Sequence, residues 1–299
     1  MKRFFKDKRK LMIFTIFILV VLAACSSPRD PNTGQVYPEK LIGIDTTFGS
    51  QLNQGWFDGI IVWPIAQLIN VIAQATDAGI GIIVVTLLLQ FATAAFSIKS
   101  QVSAQRMQML QPEMQRIQNK YAGKTDDRSR MMQAQELQQI YAKNNINPFG
   151  TILTTFLQFP LILGVYQATQ RAQEVVEGSF LNIKLTETPI WGMENGQWVY
   201  ILIFLLMIVF QFASLKFPQW LQKQRDKNNH VKKKEYADPK NNKNNMAGSM
   251  NMMMYGSLGM IAIFAINWPL SMSFYWLVSS IARIIQNIVI NKFFINDEK

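Results

Sequence analysis

Four uncharged polar residues, Thr86, Gln90, Thr93 and Ser97, follow one another at intervals of four, three and four positions inside an apolar stretch. This spacing places them on one face of a helix. An amide or hydroxyl inside the hydrocarbon of a membrane is costly unless water or protein satisfies it, so the stripe needs a polar neighbour. The alternative is contact between helices, because Ser, Thr and Gln also bond across packed spans.

The sequence offers no further group of residues that is typical of catalysis or metal binding. It contains no GxxxxGK[ST], HExxH or GxSxG motif, and every Asp and Glu lies outside the long apolar stretches. The one histidine, His230, stands in a basic segment without other ligand types, and the one cysteine, Cys25, excludes an intramolecular disulfide. The sequence therefore predicts no enzyme, no metal, no cofactor and no small-molecule substrate.

The elements that must position the stripe are apolar helices. Hydrophobic residues make up 49% of the 299-residue sequence and are bunched in stretches that approach the ~20 residues of a membrane-spanning helix. The stretches are 11–25, 78–98, 149–168, 198–215, 250–268 and 270–291. This pattern predicts a polytopic, all-α membrane protein.

The first stretch has the features of a signal peptide. A basic segment, MKRFFKDKRK, precedes the apolar LMIFTIFILVVLAA, and Leu22, Ala23, Ala24 and Cys25 resemble the lipobox of bacterial lipoproteins. That resemblance implies a diacylglyceryl group and an N-acyl chain such as palmitate on Cys25, which becomes the new N-terminus outside the cell. The alternative for a lone cysteine is packing as a small hydrophobe.

The basic residues indicate which segments face the cytoplasm. After Cys25 there are 24 Lys and Arg, of which 8 fall in 99–147 and 9 in 216–248, whereas 26–77 and 171–197 together hold 4 basic and 9 acidic residues. By the positive-inside rule the first two segments are cytoplasmic. The charges and the lipobox thus agree on an external N-terminus, five spans and a cytoplasmic C-terminus in the bacterial cell membrane.

These observations predict twelve consecutive segments. They are a lipoprotein-type signal peptide (1–24), a lipidated extracellular tether (25–55), an interfacial amphipathic helix (56–77), a first span (78–98), a cytoplasmic helical hairpin (99–146), a second span (147–170), an extracellular loop (171–196), a third span (197–217), a basic cytoplasmic loop (218–248), a fourth span (249–267), a fifth span (270–292) and a short cytoplasmic tail (293–299).

The interfacial helix is predicted from two opposite faces. Its apolar face comprises Ile61, Ile65, Leu68, Ile69 and Ile72, and its polar face comprises Gln67, Asn70 and Gln74. Trp56 and Trp63 suit headgroup depth. A sixth span is the alternative interpretation, although Pro64 and the polar face count against it.

The hairpin is predicted from apolar residues at helical spacing, which include Met107, Leu110, Met114, Ile117 and Tyr121. The sequence GKTDD indicates a turn, with Thr125 or Asp126 as the N-cap of a second helix that runs to about Lys143.

Three segments resemble the YidC/Oxa-type membrane protein insertases. They are LQPEMQRIQNKY (110–121), NNINPFGTILTTFLQFPLILGVYQA (144–168) and WPLSMSFYWLVSSIARIIQN (268–287), in this order and with this spacing. With the lipobox, the resemblance is to the Gram-positive, lipoprotein-type members, and it covers residues 56 to 292.

The resemblance implies a fold and a function. Five spans would enclose a hydrophilic groove that is open to the cytoplasm and to lipid and closed on the outside. Nascent membrane proteins would pass their polar parts through this groove without nucleotide hydrolysis, alone or beside the Sec translocon. Membrane lipids are further expected partners, and any ribosome contact would fall to the basic loop and the hairpin. The alternatives are a small-solute channel or transporter and a lipoprotein scaffold whose polar stripe is packed dry.

One departure from the family pattern affects the groove. Relatives carry an arginine in a Thr-x-x-x-Arg pattern of the first span, where this sequence has Thr86 and Gln90. We hypothesise that Arg283, seven residues after Trp276 in the last span, supplies the missing charge; the alternative is that Arg283 snorkels to the cytoplasmic interface. The remaining groove candidates are Thr154, Thr155, Gln158, Gln211, Tyr275 and Gln286.

Overall fold

The computed structural model describes residues 28–30, 35–124, 126–228 and 246–295. Over these residues the chain forms helices, turns and three isolated β-bridges, and no strand. The signal peptide, Cys25 and His230 lie outside the described residues, as do the middle of the basic loop and the end of the tail. The predicted all-helical class is confirmed for the part of the chain that the structure describes.

Eleven α-helices, which we number in chain order, account for most of the described residues. They are α1 (Phe48–Gln54), α2 (Trp63–Ala75), α3 (Ala78–Met109), α4 (Gln111–Lys120), α5 (Asp127–Lys143), α6 (Pro148–Arg171), α7 (Gln173–Val176), α8 (Pro189–Glu194), α9 (Trp198–Asn228), α10 (Met246–Asn267) and α11 (Leu270–Ile290). A 3-10 turn, Pro38–Lys40, precedes α1, and π turns lie before α2 (Asp58–Val62) and after α11 (Asn291–Ile295).

Several of these helices are long and apolar enough to cross a membrane. Among the described residues they are Asp58–Ala75, Ala78–Met109, Trp198–Arg225 and Leu270–Ile295, and Met254–Asn267 is a shorter apolar helix. The protein is therefore a multi-pass membrane protein. One of these helices, Asp58–Ala75, is the helix that the sequence assigns to the interface. Length and composition therefore do not distinguish an interfacial helix from a sixth span.

The chain divides into two compact units. Unit 1 comprises residues up to Leu89, Thr155–Met207 and Ala265–Ser279, and unit 2 comprises Gln90–Thr154, Ile208–Phe264 and the residues from Ser280. Each of the five long helices α3, α6, α9, α10 and α11 contributes residues to both units.

In unit 1, α2 packs by small residues and amides as well as by isoleucines. Ile65 and Ile69 are buried as the sequence predicts, but Asn70, which the sequence places on a polar outer face, is fully buried. Its side chain donates to the Ile42 carbonyl at 2.6 Å and accepts from the Glu174 amide at 3.2 Å. The polar-face prediction was wrong for Asn70 because its amide holds two backbone segments together.

The predicted tether, 25–55, has structure close to the membrane domain. Ile42 pairs with Ala172 in a parallel bridge, in which the Ile42 amide donates to the Arg171 carbonyl at 2.8 Å. Gln67 donates to the carbonyls of Gly43 and Thr46 at 2.8 and 3.0 Å. Side chains from α2 therefore fix residues 42–46 against unit 1, and the predicted tether is attached to the helices at these residues.

Arg171, at the end of α6, is the most polar of the fully buried large side chains, with 1% exposure. Its guanidinium pairs with Asp58 and donates to Gln51 Oε1 at 2.5 Å and Gln54 Oε1 at 3.3 Å, while Nε donates to the Lys40 carbonyl at 2.7 Å. A buried guanidinium is tolerated only when its donors are met in this way. This cluster joins the chain before α2 to the end of α6.

The loop between α6 and α9 is fixed to the start of α11. The amides of Leu270 and Ser271 donate to the carbonyls of Glu187 and Leu185 at 2.8 and 2.9 Å, which satisfies part of the first turn of α11. The Tyr200 hydroxyl bonds both the amide and the carbonyl of Lys184 at 3.1 Å.

In unit 2, α4 and α5 form the predicted helical hairpin. Asp126 is the N-cap of α5 and accepts from the Ser129 amide at 2.8 Å. Lys120 and Tyr121 both donate to Glu136, and these hydrogen bonds lower the pKa of the Glu136 carboxyl below its ordinary value. The hairpin begins later than the predicted residue 99, because α3 continues without a break from the apolar stretch to Met109.

Arg171→Gln is expected to destabilise the protein by roughly 3 kcal/mol, because removing the guanidinium from this buried ion pair leaves the Asp58 carboxylate without a positive partner. Thermal unfolding in detergent measures the change. Arg130→Gln is the matched control, since Arg130 pairs with Asp127 at 3.9 Å on an exposed surface and should change stability by at most about 1 kcal/mol. Equal shifts in both variants would contradict the structural role of Arg171.

Candidate functional site

The polar stripe of α3 faces inward and its apolar neighbours face outward. Thr86 and Ser97 are buried and Gln90 and Thr93 are half-buried. On the other side of the same helix, Phe91 and Phe96 are 72% and 86% exposed. The predicted orientation of the stripe agrees with this exposure, because a helix in lipid turns its apolar side chains outward and its polar ones toward protein or water.

The hydroxyls of the stripe bond along their own helix. Thr86 donates to the Ile82 carbonyl at 2.6 Å and Thr93 donates to the Gln90 carbonyl at 3.1 Å. Ser97 accepts from the amide of Gln101 at 2.6 Å, also on α3. The two threonine bonds satisfy hydroxyl protons at low cost inside a helix, and none of the three bonds joins α3 to another span.

A different arrangement holds Gln211, which the sequence assigns to the groove. Gln211 on α9 is 2% exposed and its Oε1 accepts a hydrogen bond from Ser280 on α11, which is fully buried. Ser214 donates to the Gln211 carbonyl at 2.9 Å. Gln211 therefore makes the cross-helix bond that the alternative interpretation of the polar residues predicts.

Arg283 and Gln286 lie three residues apart on α11, which puts them on neighbouring positions of one face. Both are half-buried, and the Nε2 atom of Gln286 is buried with no hydrogen-bond partner among the described residues. A buried amide nitrogen of this kind needs a water or another polar group. This part of α11 in unit 2 therefore presents polar groups that suit a hydrated surrounding.

The predicted groove residues do not all belong to one unit, and the side chains of Thr154 and Thr155 are outside those that the structure describes. Gln90, Thr93, Ser97, Gln211 and Arg283 belong to unit 2, whereas Thr86, Gln158 and Tyr275 belong to unit 1. Tyr275 is buried. Its neighbour in the sequence, Trp276, stacks on Trp268 with the ring centroids 5.6 Å apart, and the ring centroid of Tyr166 lies 4.4 Å from that of Trp268. Gln158 is half-buried.

The sequence analysis missed four buried serines on α11, which are Ser271, Ser273, Ser279 and Ser280. The hydroxyls of Ser271 and Ser273 have no hydrogen-bond partner among the described residues. The signal was present in the sequence as two pairs of serines within an otherwise apolar helix, WPLSMSFYWLVSS. It is weak because serine is small and common in membrane helices.

Hydrogen bonds also join the far ends of α3, α9 and α11 in unit 2. Gln105 donates to Asn287 at 2.9 Å, Gln222 donates to the Gln108 carbonyl at 3.0 Å, and Arg225 donates to Asn291. A small, partly open pocket lies among these residues and is lined by Gln105, Gln222, Arg225 and Asn291 with their neighbours. No group of three or more His, Cys, Asp and Glu that could hold a metal occurs among the described residues.

A sequence model described as the 60Kd inner membrane protein matches residues 70–298, so the chain belongs to the 60Kd inner membrane protein family. The match confirms the resemblance found in the three sequence segments.

Curated relatives cover almost the whole chain. "Membrane protein insertase MisCA" of Bacillus subtilis (strain 168) is 27% identical over 287 residues, which are 95% of this chain and 92% of that protein. "Membrane protein insertase YidC 2" of Bacillus anthracis is 28% identical over 289 residues, with 94% and 92% covered. "Membrane protein insertase YidC" of Enterococcus faecalis (strain ATCC 700802 / V583) is 28% identical over 242 residues, with 81% and 77% covered.

Single cysteines at Gln90 and Thr93 are expected to react with a membrane-impermeant thiol reagent added to the cytoplasmic side, because a half-buried polar face is open to water. Cysteines at Phe91 and Phe96 are the matched controls, since they lie at the same depth of α3 but face outward. Mass spectrometry of labelled protein in vesicles measures the difference. Cys25→Ser supplies the background if Cys25 itself reacts. Equal labelling at all four positions would contradict a hydrated stripe.

Proposed function

We propose that this protein inserts nascent membrane proteins into the bacterial membrane through a hydrophilic groove, without nucleotide hydrolysis. Family membership and the names of the relatives support the function. The observation that carries the groove is α3, on which Gln90 and Thr93 are half-buried while Phe91 and Phe96, in the same stretch of helix, are exposed. One helix thereby offers a polar wall inside and an apolar wall to lipid.

Five spans are supported by the lengths of the five long helices. The shortest, α11, has 21 residues, which at about 1.5 Å per residue reach the ~30 Å thickness of the bilayer hydrocarbon. The basic hairpin α4–α5 and the basic end of α9 then belong to the cytoplasm by the positive-inside rule. The acidic loop between α6 and α9 belongs to the outside.

The contacts of α2 favour the outer interface over a sixth span. Asp58, before α2, pairs with Arg171, and Asn70, within α2, bonds the amide of Glu174. The chain from Asp58 to Asn70 is about 18 Å long as helix, yet its partners are three residues apart at the end of α6. Both ends of this stretch thus contact residues 171–174, which follow the apolar part of α6, and this supports the outer interface for α2.

A polar groove lowers the barrier to insertion. The polar external part of a nascent protein would pay several kcal/mol for each unsatisfied group if it crossed dry hydrocarbon. Water beside Gln90, Thr93 and Gln286 shortens that path. The apolar helix of the substrate then leaves sideways into lipid, driven by its own transfer free energy.

We assign the remaining partners from the sequence and the charges. The Sec translocon would cooperate on larger substrates, and the ribosome or anionic lipids would meet the basic end of α9 and the basic loop after it. Cys25 would carry the diacylglyceryl and N-acyl chains that hold the N-terminus outside. The mechanism needs no catalytic residue, metal or cofactor.

Reconstitution into liposomes with a short, single-span nascent chain tests the insertase function. Protease-protected substrate is expected to rise severalfold over empty liposomes. The double variant Gln90→Leu/Thr93→Val should lower that yield because it removes polarity from the groove wall, whereas Phe91→Leu should retain it.

Two results would overturn the proposal. No gain over empty liposomes would reject insertion. Saturable solute flux through the reconstituted protein, unchanged by substrate, would instead favour a channel or transporter, for which a pore open at both faces is required.

Arg283→Gln tests whether Arg283 supplies charge to the groove. Insertion of a substrate with an acidic external tail should fall more than insertion of the same substrate with a neutral tail, because only the former is attracted by a cation. Lys292→Gln is the control, since Lys292 is an exposed cation nearer the end of the chain. Unchanged insertion of the acidic-tailed substrate would assign Arg283 to the interface.

A further inference from the structure

An unexpected row of exposed apolar residues precedes α2. Ile44, Phe48, Leu52, Trp56 and Ile60 recur at every fourth position, and each is between 40% and 57% exposed. We call these five residues the outer apolar patch. Single exposed apolar residues are ordinary on protein surfaces, but a regular row marks an interaction surface.

The row bends at Gly55 and remains on one packed pair of elements. α1 ends at Gln54, and Gly55 continues in an extended conformation into the π turn Asp58–Val62. The π turn packs on α1 so closely that a Cβ added to Gly59 would lie 2.8 Å from Cα of Leu52. The residues before and after the bend therefore belong to neighbouring elements of unit 1.

The side opposite the patch is polar and fixed. Gln51 and Gln54 of α1 and Asp58 of the π turn are the side chains that meet the guanidinium of Arg171. Trp63 adds a second attachment, because its Nε1 donates to the Thr46 carbonyl at 2.8 Å and its ring meets Phe48 edge-on at 5.5 Å. The segment thus has an attached polar side and an exposed apolar side.

The position of residues 44–60 along α6 indicates that lipid covers the outer apolar patch. Ile61, next to Ile60, lies against Gly164, where there is no room for a Cβ. Gly164 precedes Arg171 by seven residues, or about 10 Å of helix, so the contact lies within the apolar part of α6 and not beyond its end. An amphipathic segment at the interface buries its apolar face about 5–10 Å below the headgroups, which fits this depth.

We propose that the outer apolar patch is embedded in the acyl chains of the outer leaflet. Residues 44–60 are then a second membrane-surface element beside α2. Its polar side is attached to Arg171, and its apolar side contacts lipid. The inference rests on the proposed assignment of the end of α6 to the outer face. It goes beyond insertion by extending the membrane surface from the predicted interfacial helix (56–77) to residues 44–55, which were expected to be a tether.

Nitroxide labels on single cysteines test the proposal in the full-length protein in phospholipid vesicles. Labels at Phe48, Leu52 and Ile60 should collide severalfold more with oxygen, which concentrates in acyl chains, than with a polar nickel chelate. Asn53 is the matched control, because it is exposed on the same helix beside Leu52 but is polar, and its label should favour the chelate. The unfolding temperature of each labelled protein in detergent checks that it folds.

The outcomes separate lipid from the other occupants and from failure of the proposed function. Labels at Leu52 and Phe48 that favour the chelate would overturn the proposal in favour of a water-exposed surface. Strong coupling between Leu52 labels of different molecules would overturn it in favour of a second copy of this chain. A protein that inserts no substrate but keeps the oxygen preference would contradict the insertase function alone.

Discussion

Every polar group that lies within the hydrocarbon must find a partner, and this constraint determines how the chain is built. It favours helices, because a helix satisfies its backbone internally. It also explains the side chains: Thr86 and Thr93 donate to carbonyls of their own helix, and Arg171 is met by a carboxylate, two amides and a carbonyl. Where a polar atom is buried without such a partner among the described residues, as at Nε2 of Gln286, a water molecule or another polar group is needed to satisfy it.

Glutamine serves two purposes within the apolar helices. Gln211 bonds Ser280 on another helix and is closed off from solvent, so its amide contributes to holding α9 and α11 together. Gln90 is half-buried on a face whose hydroxyls bond along α3, so its polarity is available to water or to a substrate. The sequence alone cannot separate these roles, because both are a glutamine within an apolar helix.

The sequence predicted elements that depend on local pattern and missed those that depend on distant contacts. The hairpin and the Asp126 cap follow from periodicity and turn chemistry, and the inward face of α3 follows from spacing. Asn70 was assigned to a polar face, because nothing near it in the sequence indicates that the carbonyl of Ile42 and the amide of Glu174 converge on it. Arg171 was counted only as a loop charge, since its partners precede it by more than 110 residues.

The long helices differ in whether they contain residues that allow a kink. From Ile82 to Met109, α3 contains neither Gly nor Pro, so no residue of this stretch favours a kink. By contrast, α6 contains Pro160 and α9 contains Pro218, each of which removes a backbone hydrogen bond and allows a kink. In the proposed groove, α3 would therefore be the wall that adjusts least to substrates of different size, and any adjustment would fall to the proline-containing helices.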